Sequence, residues 1–364
     1  MELARRWGAS LDFKGAGFFR RVCRSSKLSS FITGLTDVLS QLLRFLGKRA
    51  RDAAAHRLSG RPRASGPLRL SPAMSIGMAA HGNSRTTRKA LDALFSSATG
   101  DFELILVDDR SPDDTVEVFL EARRTHGNTR IFSFKRNLDY GESVNAFLSH
   151  ARGDSLLFLS NDIFASPAYL RVLMETAAAN PDCGILRGCS NFVDKGSPLH
   201  MVALEECATR EAYFAFAEEI AARHRGGVLI DERYLVGDAF LVGRPVIDRI
   251  GSFDTRFVGY FGDVDFGLRA QIAGFRVVLE RRAFAFHQTH GNIAYLPPEA
   301  QQERWRTRRD KVAAAAQAFV DKYALQPSAD GIANIPWDEL ARRPFDPALH
   351  HVAPKDYSEC LLAR

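Results

Sequence analysis

The chain has 364 residues, 46% of them hydrophobic and 25% charged, with 27 Gly and 15 Pro. That suffices for one large α/β domain or two ordinary ones, and the balance excludes collagen-like, disordered and membrane-spanning classes for the bulk of the chain. The net charge of +6 hides an asymmetry, because residues 1–70 carry 15 Lys+Arg against 4 Asp+Glu and leave the remainder mildly acidic. The basic footprint belongs to an N-terminal extension, so nothing points to nucleic-acid binding by the main body. The five cysteines (Cys23, Cys183, Cys189, Cys207, Cys360) are widely spaced and form no CxxC pair. They indicate neither a disulfide framework nor a zinc knuckle, and a reducing compartment suits them.

Residues 1–73 read as this basic extension and a linker. Apolar residues recur at helical spacing from Phe31 through Leu35, Leu39 and Leu42 to Leu46. With Asp37 and Arg44 inside it, the segment is too short and too polar to span a bilayer, which takes about 20 apolar residues. Basic clusters flank it (Arg20, Arg21, Arg24 and Lys27 before; Lys48, Arg49 and Arg51 after). Residues 20–51 are therefore expected to lie on an anionic membrane surface, placing a cytoplasmic protein peripherally at the inner face of the membrane; the alternative is a helix docked on its own domain. Ser59–Pro72, rich in Gly, Pro, Ser and Arg, reads as a linker, and folding is expected to start near Ser75.

From Ser75 onward short apolar runs alternate with helical stretches. Strands are expected at Ser75–Ala79, Glu103–Val107, Thr129–Phe134 and Ser155–Leu159, with helices at Thr86–Ser97, Asp113–Thr125, Gly141–Arg152 and Pro167–Asn180. This alternation predicts an α/β fold with a mainly parallel, Rossmann-like sheet covered by helices on both faces, and such sheets bind ligands beyond the carboxyl ends of their strands. The second half is less regular, with a strand expected at Tyr234–Val242, a helix near Asp263–Ala273 and a strand at Arg276–Glu280. Beyond Pro297, a helix near Gln301–Tyr323 and a Pro-containing tail form a C-terminal helical appendage. The expected division is thus 1–73, 74–297 (halves 74–182 and 183–297) and 298–364.

Four stretches carry unusual polar residues in order: "SIGMAAHGN" (Ser75–Asn83), "LILVDDRSPDDT" (Leu104–Thr115), the run from Arg136 to Ile163 containing "FLSND", and "GYFGDVDFGLRAQIAGFRVVLERRAFAFHQTHG" (Gly259–Gly291). Ser111, Asp113 and Asp114 read as a helix-capping turn. No GxGxxG follows the first strand, which counts against a nicotinamide-dependent oxidoreductase.

In order and spacing these motifs resemble a family-2 glycosyltransferase of the GT-A fold, with rhamnosyltransferase-like and galactofuranosyltransferase-like members the nearest in pattern. The resemblance implies a nucleoside-diphosphate sugar donor and inverting transfer to the hydroxyl of a glycan or glycolipid acceptor, in assembly of cell-surface polysaccharide or glycoconjugate. It implies nucleotide-sugar contacts at Ala79, Ala80, His81 and Asn83, at Asp108 or Asp109, at Asn137 and Gly141, and at Asn161. A carboxylate suits a base N–H. Phe158–Asp162 stands where the family has a metal-binding Asp-x-Asp, with Ser160 replacing the first acid, so Asp162 is the implied ligand of Mg2+ or Mn2+. His287, 24 residues after Asp263, matches a metal-binding His of galactofuranosyltransferase-like relatives.

"GDVD" (Gly262–Asp265) matches the family's acidic pair at a helix start, and the resemblance makes Asp263 the general base, with Gly262 replacing the preceding acid. A base at the first turn of a helix is expected to face the cleft with its pKa lowered by the helix N-terminus. Asp265, rotated by about 200° on the same helix, is expected to be structural, as is Arg269. Asp238 is placed on the acceptor side. The replacements at Ser160 and Gly262 keep open a second reading, a non-catalytic sugar-nucleotide-binding or scaffold protein.

Overall fold

The computed structural model describes residues 65–193, 200–202, 209–223, 229–288, 298–326 and 335–363. The amphipathic segment within residues 20–51 and most of the expected linker lie outside them. The apolar segments β2 (Met74–Ala80) and β4 (Glu103–Asp108) form adjacent parallel strands, flanked by β6 (Ser155–Ser160) and β5 (Thr129–Ser133). The resulting order β5-β4-β2-β6 is the doubly wound arrangement, and these strands are buried on both faces as a parallel sheet requires.

Helices cover both faces. On one lie α1 (Ser84–Ser97), α2 (Thr115–Thr125), α4 (Pro167–Ala179) and α5 (Arg210–Arg223), packed on Ile76, Leu104 and Leu157. On the other lie α3 (Asp139–His150), α6 (Arg244–Ile250) and α7 (Gly262–Ile272), packed on Ile105, Val107 and Phe158. Gly77 is required where β2 meets α3, since a Cβ there would stand 2.3 Å from the Phe147 ring. A larger residue would push α3 off the sheet.

The second half departs from the expectation in several places. Beyond β6 the sheet turns mixed: β10 (Ala239–Gly243) runs antiparallel to both β6 and β8 (Cys183–Ser190), and β8 pairs in parallel with β11 (Arg276–His287). The strand expected from Tyr234 begins only at Ala239, because Tyr234–Asp238 is a loop held by side chains of the cleft. The strand expected to end at Glu280 runs on to His287 through a register shift between Glu280 and Phe284. β8, "CGILRGCS", was not foreseen, as its two glycines and internal Arg187 break any alternation. Ordered structure also starts before Ser75, with β1 (Leu68–Leu70) paired to β3 (Ala98–Gly100). Two-residue β7 (Ile163–Phe164) and three-residue β9 (Leu229–Asp231) close the β11 edge. They are too short to carry a periodic signal.

The C-terminal part is built into the same body. Helix α8 (Pro298–Lys322) packs Ala315 and Phe319 against Phe257, Phe261 and Leu268 of the segment around α7, and α9 (Trp337–Leu340) adds Leu340 to that cluster. Helix α7 is thereby sandwiched between the sheet and α8. A short helix α10 (Pro347–His350) follows.

Charges bind this sandwich at its centre. Arg269, fully buried, donates to Asp265 at 2.7 Å and to the carbonyls of Ile250 and Ser252 at 2.7 Å each. Lys322 donates to Asp265 at 2.6 Å and to Asp254 at 3.0 Å, and the Tyr323 hydroxyl donates to Asp265 at 2.8 Å. Burial alone would raise the pKa of Asp254, but Arg256 and Lys322 outweigh it and hold the carboxyl well below the usual carboxylate range. Such a group stabilises the fold fully above its ordinary pKa of about 4 and loses that contribution as pH falls below it.

Removing one member leaves the others charged and buried, which typically costs about 3–5 kcal/mol. Asp265→Asn, which keeps the volume, is expected to destabilise by that amount in urea titration at pH 7, and a loss below about 1 kcal/mol would contradict a network of this strength. Wild-type stability should also fall steeply on acidification below about pH 4.

Candidate active site

The carboxyl ends of the parallel strands converge, and the loops leaving them are fastened to one another. Ala79 and Ala80 end β2 beside Ser160 and Asp108. His81 is exposed, and its Nδ1 meets the Asp109 carbonyl at 2.7 Å. Asn83 sits in the left-handed region at the entrance to α1, with φ 65°. Asp108 accepts from the Ser111 amide at 3.0 Å and the Ser133 hydroxyl at 2.8 Å, so both its oxygens serve the loop. Asp109 accepts from the Leu138 amide at 2.6 Å, and burial raises its pKa to about 6.

Asn161 is turned inward, donating to Thr87 at 2.9 Å and the Gly82 carbonyl at 3.2 Å. Asn137 is exposed and Gly141 buried in the first turn of α3. The expected cap is performed by Asp113, which accepts from the Thr115 amide and hydroxyl and from the Ser84 amide.

A cleft of about 680 Å³ opens beside these strand ends, and Ser160, Asp162, Asp238, Asp263 and His287 all line it. Residues separated by up to 127 positions are thus brought together. Asp162 lies just past β6, and His287 ends β11 directly opposite, where β11 pairs with β7. The His287 Nδ1 donates to the Phe192 carbonyl at 3.0 Å, which leaves Nε2 turned toward Asp162 Oδ2 at 3.4 Å. Burial disfavours protonated His287, but the hydrogen bond and charge of Asp162, with the charge of Asp238, outweigh it and raise the pKa. Asp238 stands on the other side of this ring, its Oδ2 3.6 Å from Nδ1 and its Oδ1 held by Arg187 at 2.6 Å. It belongs to the same knot of charges as His287.

Asp263 reaches the cleft from the first turn of α7. Its Oδ2 accepts from the Gly237 amide at 2.8 Å and its Oδ1 from the Val264 amide at 2.9 Å. The expected depression of its pKa is not what the structure gives. The atoms packed around the carboxyl raise the pKa, and the amides of Gly237 and Val264 offset only part of that rise. The Gly237 carbonyl accepts from the Tyr140 hydroxyl at 2.6 Å. A Cβ on Gly237 would lie 2.4 Å from that hydroxyl and 2.7 Å from the Asp263 Cβ, so only glycine fits between them. Asp265, in contrast, faces away into the buried ion network, with no exposed surface.

Among the described residues no three His, Cys, Asp or Glu side chains form a ready-made metal cage. Asp162 and His287 nevertheless fit a hard divalent cation: an oxygen and an imidazole nitrogen face one another across a gap that one ion could bridge. Mg2+ in particular is commonly held by one or two carboxylates, with substrate phosphates and water completing its shell.

The residues missed from sequence are Tyr140, Gly237 and the aromatic residues Tyr234, Tyr260 and Trp337 of the cleft lining, and Arg187, which holds Asp238. Tyr140 and Tyr260 stand inside motif stretches without being singled out, and Trp337 carries no local signal. Gly262, where the family pattern has an acid, has a packing reason: a Cβ there would press on the Phe253 ring at 3.2 Å.

Part of the chain is similar to known proteins. The family model described as "Glycosyl transferase family 2" matches residues 75–235. A validoxylamine A glucosyltransferase of Streptomyces hygroscopicus subsp. jinggangensis is 24% identical over 239 residues, covering 60% of this chain and 56% of the relative. The O-antigen biosynthesis protein RfbC of Myxococcus xanthus is 25% identical over 242 residues, covering 64% of this chain and 19% of the relative. The chain thus spans about half the length of the first and a fifth of the second. Among solved structures, a mannosyltransferase from Pyrobaculum calidifontis in complex with GDP-Man and Mn2+ aligns with a TM-score of 0.47 at 15% identity, covering 78% of this chain and 74% of that one. Residues 75–235 of the chain are thus similar to glycosyl transferase family 2.

Proposed function

We propose that the protein is an inverting glycosyltransferase that moves a sugar from a nucleoside-diphosphate sugar to an acceptor hydroxyl, in polysaccharide or glycoconjugate assembly. The observation that carries this reading is the presence, in one cleft at the carboxyl ends of the parallel strands, of Asp263 together with the Asp162–His287 pair. The nucleotide would lie along the ends of β2 and β4, against the loops after Ala80 and Asp108. Its diphosphate would reach Asp162 and His287. A divalent cation held there would neutralise charge on the departing diphosphate.

Asp263 takes the proton of the acceptor hydroxyl. The acceptor oxygen then forms its bond to the anomeric carbon as the bond to the diphosphate oxygen breaks, and the nucleoside diphosphate departs with that electron pair. Burial makes Asp263 a stronger base, while the two amides it accepts from hold it in place and favour its ionised form. Ser160 and Gly262 motivate the second reading, a sugar-nucleotide-binding protein without turnover. Release of nucleoside diphosphate from nucleotide sugars by the purified protein separates the two.

Asp263→Asn removes the proton acceptor while keeping size and much of the hydrogen bonding. Transfer is expected to fall by about 10² to 10⁴ with nucleoside-diphosphate affinity near wild type, and normal turnover, or equal loss of nucleotide binding, would remove Asp263 from the role. For the cation, Mn2+ titration in the presence of a nucleoside diphosphate should show a site that Asp162→Ala abolishes and His287→Ala weakens by about tenfold to a hundredfold. Unchanged Mn2+ binding in Asp162→Ala would place the ion elsewhere.

A further inference from the structure

The cleft carboxylates are each engaged by the protein itself. Asp162 faces His287, Asp238 is held by Arg187, and Asp263 accepts from two backbone amides. The rest of the lining is a largely apolar wall of Tyr234, Tyr260, Val264, Val312, Ile335 and Trp337, and two guanidiniums stand in it, those of Arg233 and Arg308. Arg308 is half-buried and lies over the Tyr260 ring at 5.5 Å, and burial lowers its pKa. Arg233 meets Asp338 at 3.8 Å with both side chains mostly exposed, an ion pair of little strength in water. The Trp337 ring is half-buried, 5.6 Å from that of Tyr234. Aromatic faces and fixed positive charge thus share one wall.

We propose that this wall selects an acceptor sugar that carries an anionic substituent, a carboxylate or a phosphate, and that Arg308 is the residue that recognises the charge. The proposal rests on the transferase reading above for what the reactive end does. Chain position assigns the charge to the acceptor. Tyr260, under Arg308, stands three residues before Asp263, and Arg233 stands four before Gly237, whose amide Asp263 accepts from. Both arginines therefore adjoin the segments that carry and hold the proposed base. The diphosphate has its own place at Asp162 and His287. The chemistry suits an acidic sugar in two ways. A pyranose presents a C–H face that lies flat on an aromatic ring, and a pocket of apolar walls with a few placed polar groups fixes its orientation. A guanidinium stacks through its face and donates through its edge, so Arg308 can keep Tyr260 while it grips a carboxylate or phosphate. Because Arg308 is partly withdrawn from water, an anion there gains more than it would at an open surface. An uncharged group pressed against it would desolvate the cation further and return nothing.

Calorimetric titration of the full chain with the methyl glycosides of glucose, galactose and mannose, their uronic acid counterparts and their 6-phosphates tests this without turnover. For at least one sugar an anionic form should bind about tenfold to a hundredfold tighter than the neutral one, and the uronate and phosphate arms tell the two anions apart. Arg308→Gln should erase most of that ratio while leaving the neutral affinity near wild type, Arg308→Lys should keep part of it, and Asp162→Ala should leave it intact. In the wild type, raising NaCl from about 0.1 M to about 0.5 M should weaken the anionic ligand and spare the neutral one. Equal affinities, no binding of any glycoside, a preference indifferent to salt, or one that survives in Arg308→Gln would overturn the proposal. So would competitive displacement of the anionic glycoside by UDP or GDP, which would put the anion in the diphosphate site. Titration with UDP and GDP alone reports on the transferase reading separately, since failure there leaves the anion preference to be judged by itself.

Discussion

The position of one helix governs the cleft, and a buried ion network fixes that helix. Arg269 and Asp265 lie four residues apart on α7 and pair with no exposure to water. Lys322 of α8 closes the network from the opposite side through Asp265 and Asp254. Each carboxylate is matched by a cation, and every nitrogen of the Arg269 guanidinium and the Lys322 ammonium donates to a carbonyl or carboxylate. Such an arrangement has one good geometry, because any rotation of α7 would leave a charge unpaired in a medium that solvates it poorly. The rotation that buries Asp265 is also the one that turns Asp263, nearly half a turn round, toward the cleft.

A second set of ties fixes what Asp263 faces. The Gly237 peptide is held at both ends, its amide by Asp263 and its carbonyl by Tyr140. This peptide belongs to the loop before β10, and Asp238 follows it directly, held by Arg187 of β8. Helix α3 joins the arrangement through Tyr140 and through Asn145, which exchanges hydrogen bonds with both backbone groups of Phe253. The reactive end of the cleft is thus built from four separate elements that no single stretch of chain supplies. At the ends of β2 and β4 Asp109 has the equivalent task, holding the loop before α3 by the Leu138 amide.

The division of labour follows from this construction. Residues 75–235 supply the parallel strands, whose ends suit a nucleotide, and they alone match the family. The helix carrying Asp263, the strand carrying His287 and the apolar wall come later in the chain. Tyr234 and Trp337 meet across the cleft mouth although about a hundred positions separate them.

How much of this was legible in the sequence depended on how local the cause was. Short apolar runs alternating with amphipathic stretches determined the strands from Met74 to Ser160 and their helices, because burial on both faces of a parallel sheet writes itself directly into composition. The motif order pointed to the family whose model matches residues 75–235, and helical geometry alone separated Asp263 from Asp265. The loop at Tyr234–Asp238, with its β-compatible residues, was misread as strand: Tyr140 and Asp263 hold Gly237 out of the ladder, and neither is near it in sequence. Strand β8 hid because Arg187, a charge that strands rarely bury, is neutralised by Asp238 fifty-one positions on. The rise in the Asp263 pKa could not be read from its place on a helix either, since the helix N-terminus is a local effect, whereas the burial that outweighs it comes from distant segments closing over the carboxyl. Local periodicity and chemistry are properties of the sequence; burial, charge pairing and the wall of a cleft exist only once the chain has closed on itself.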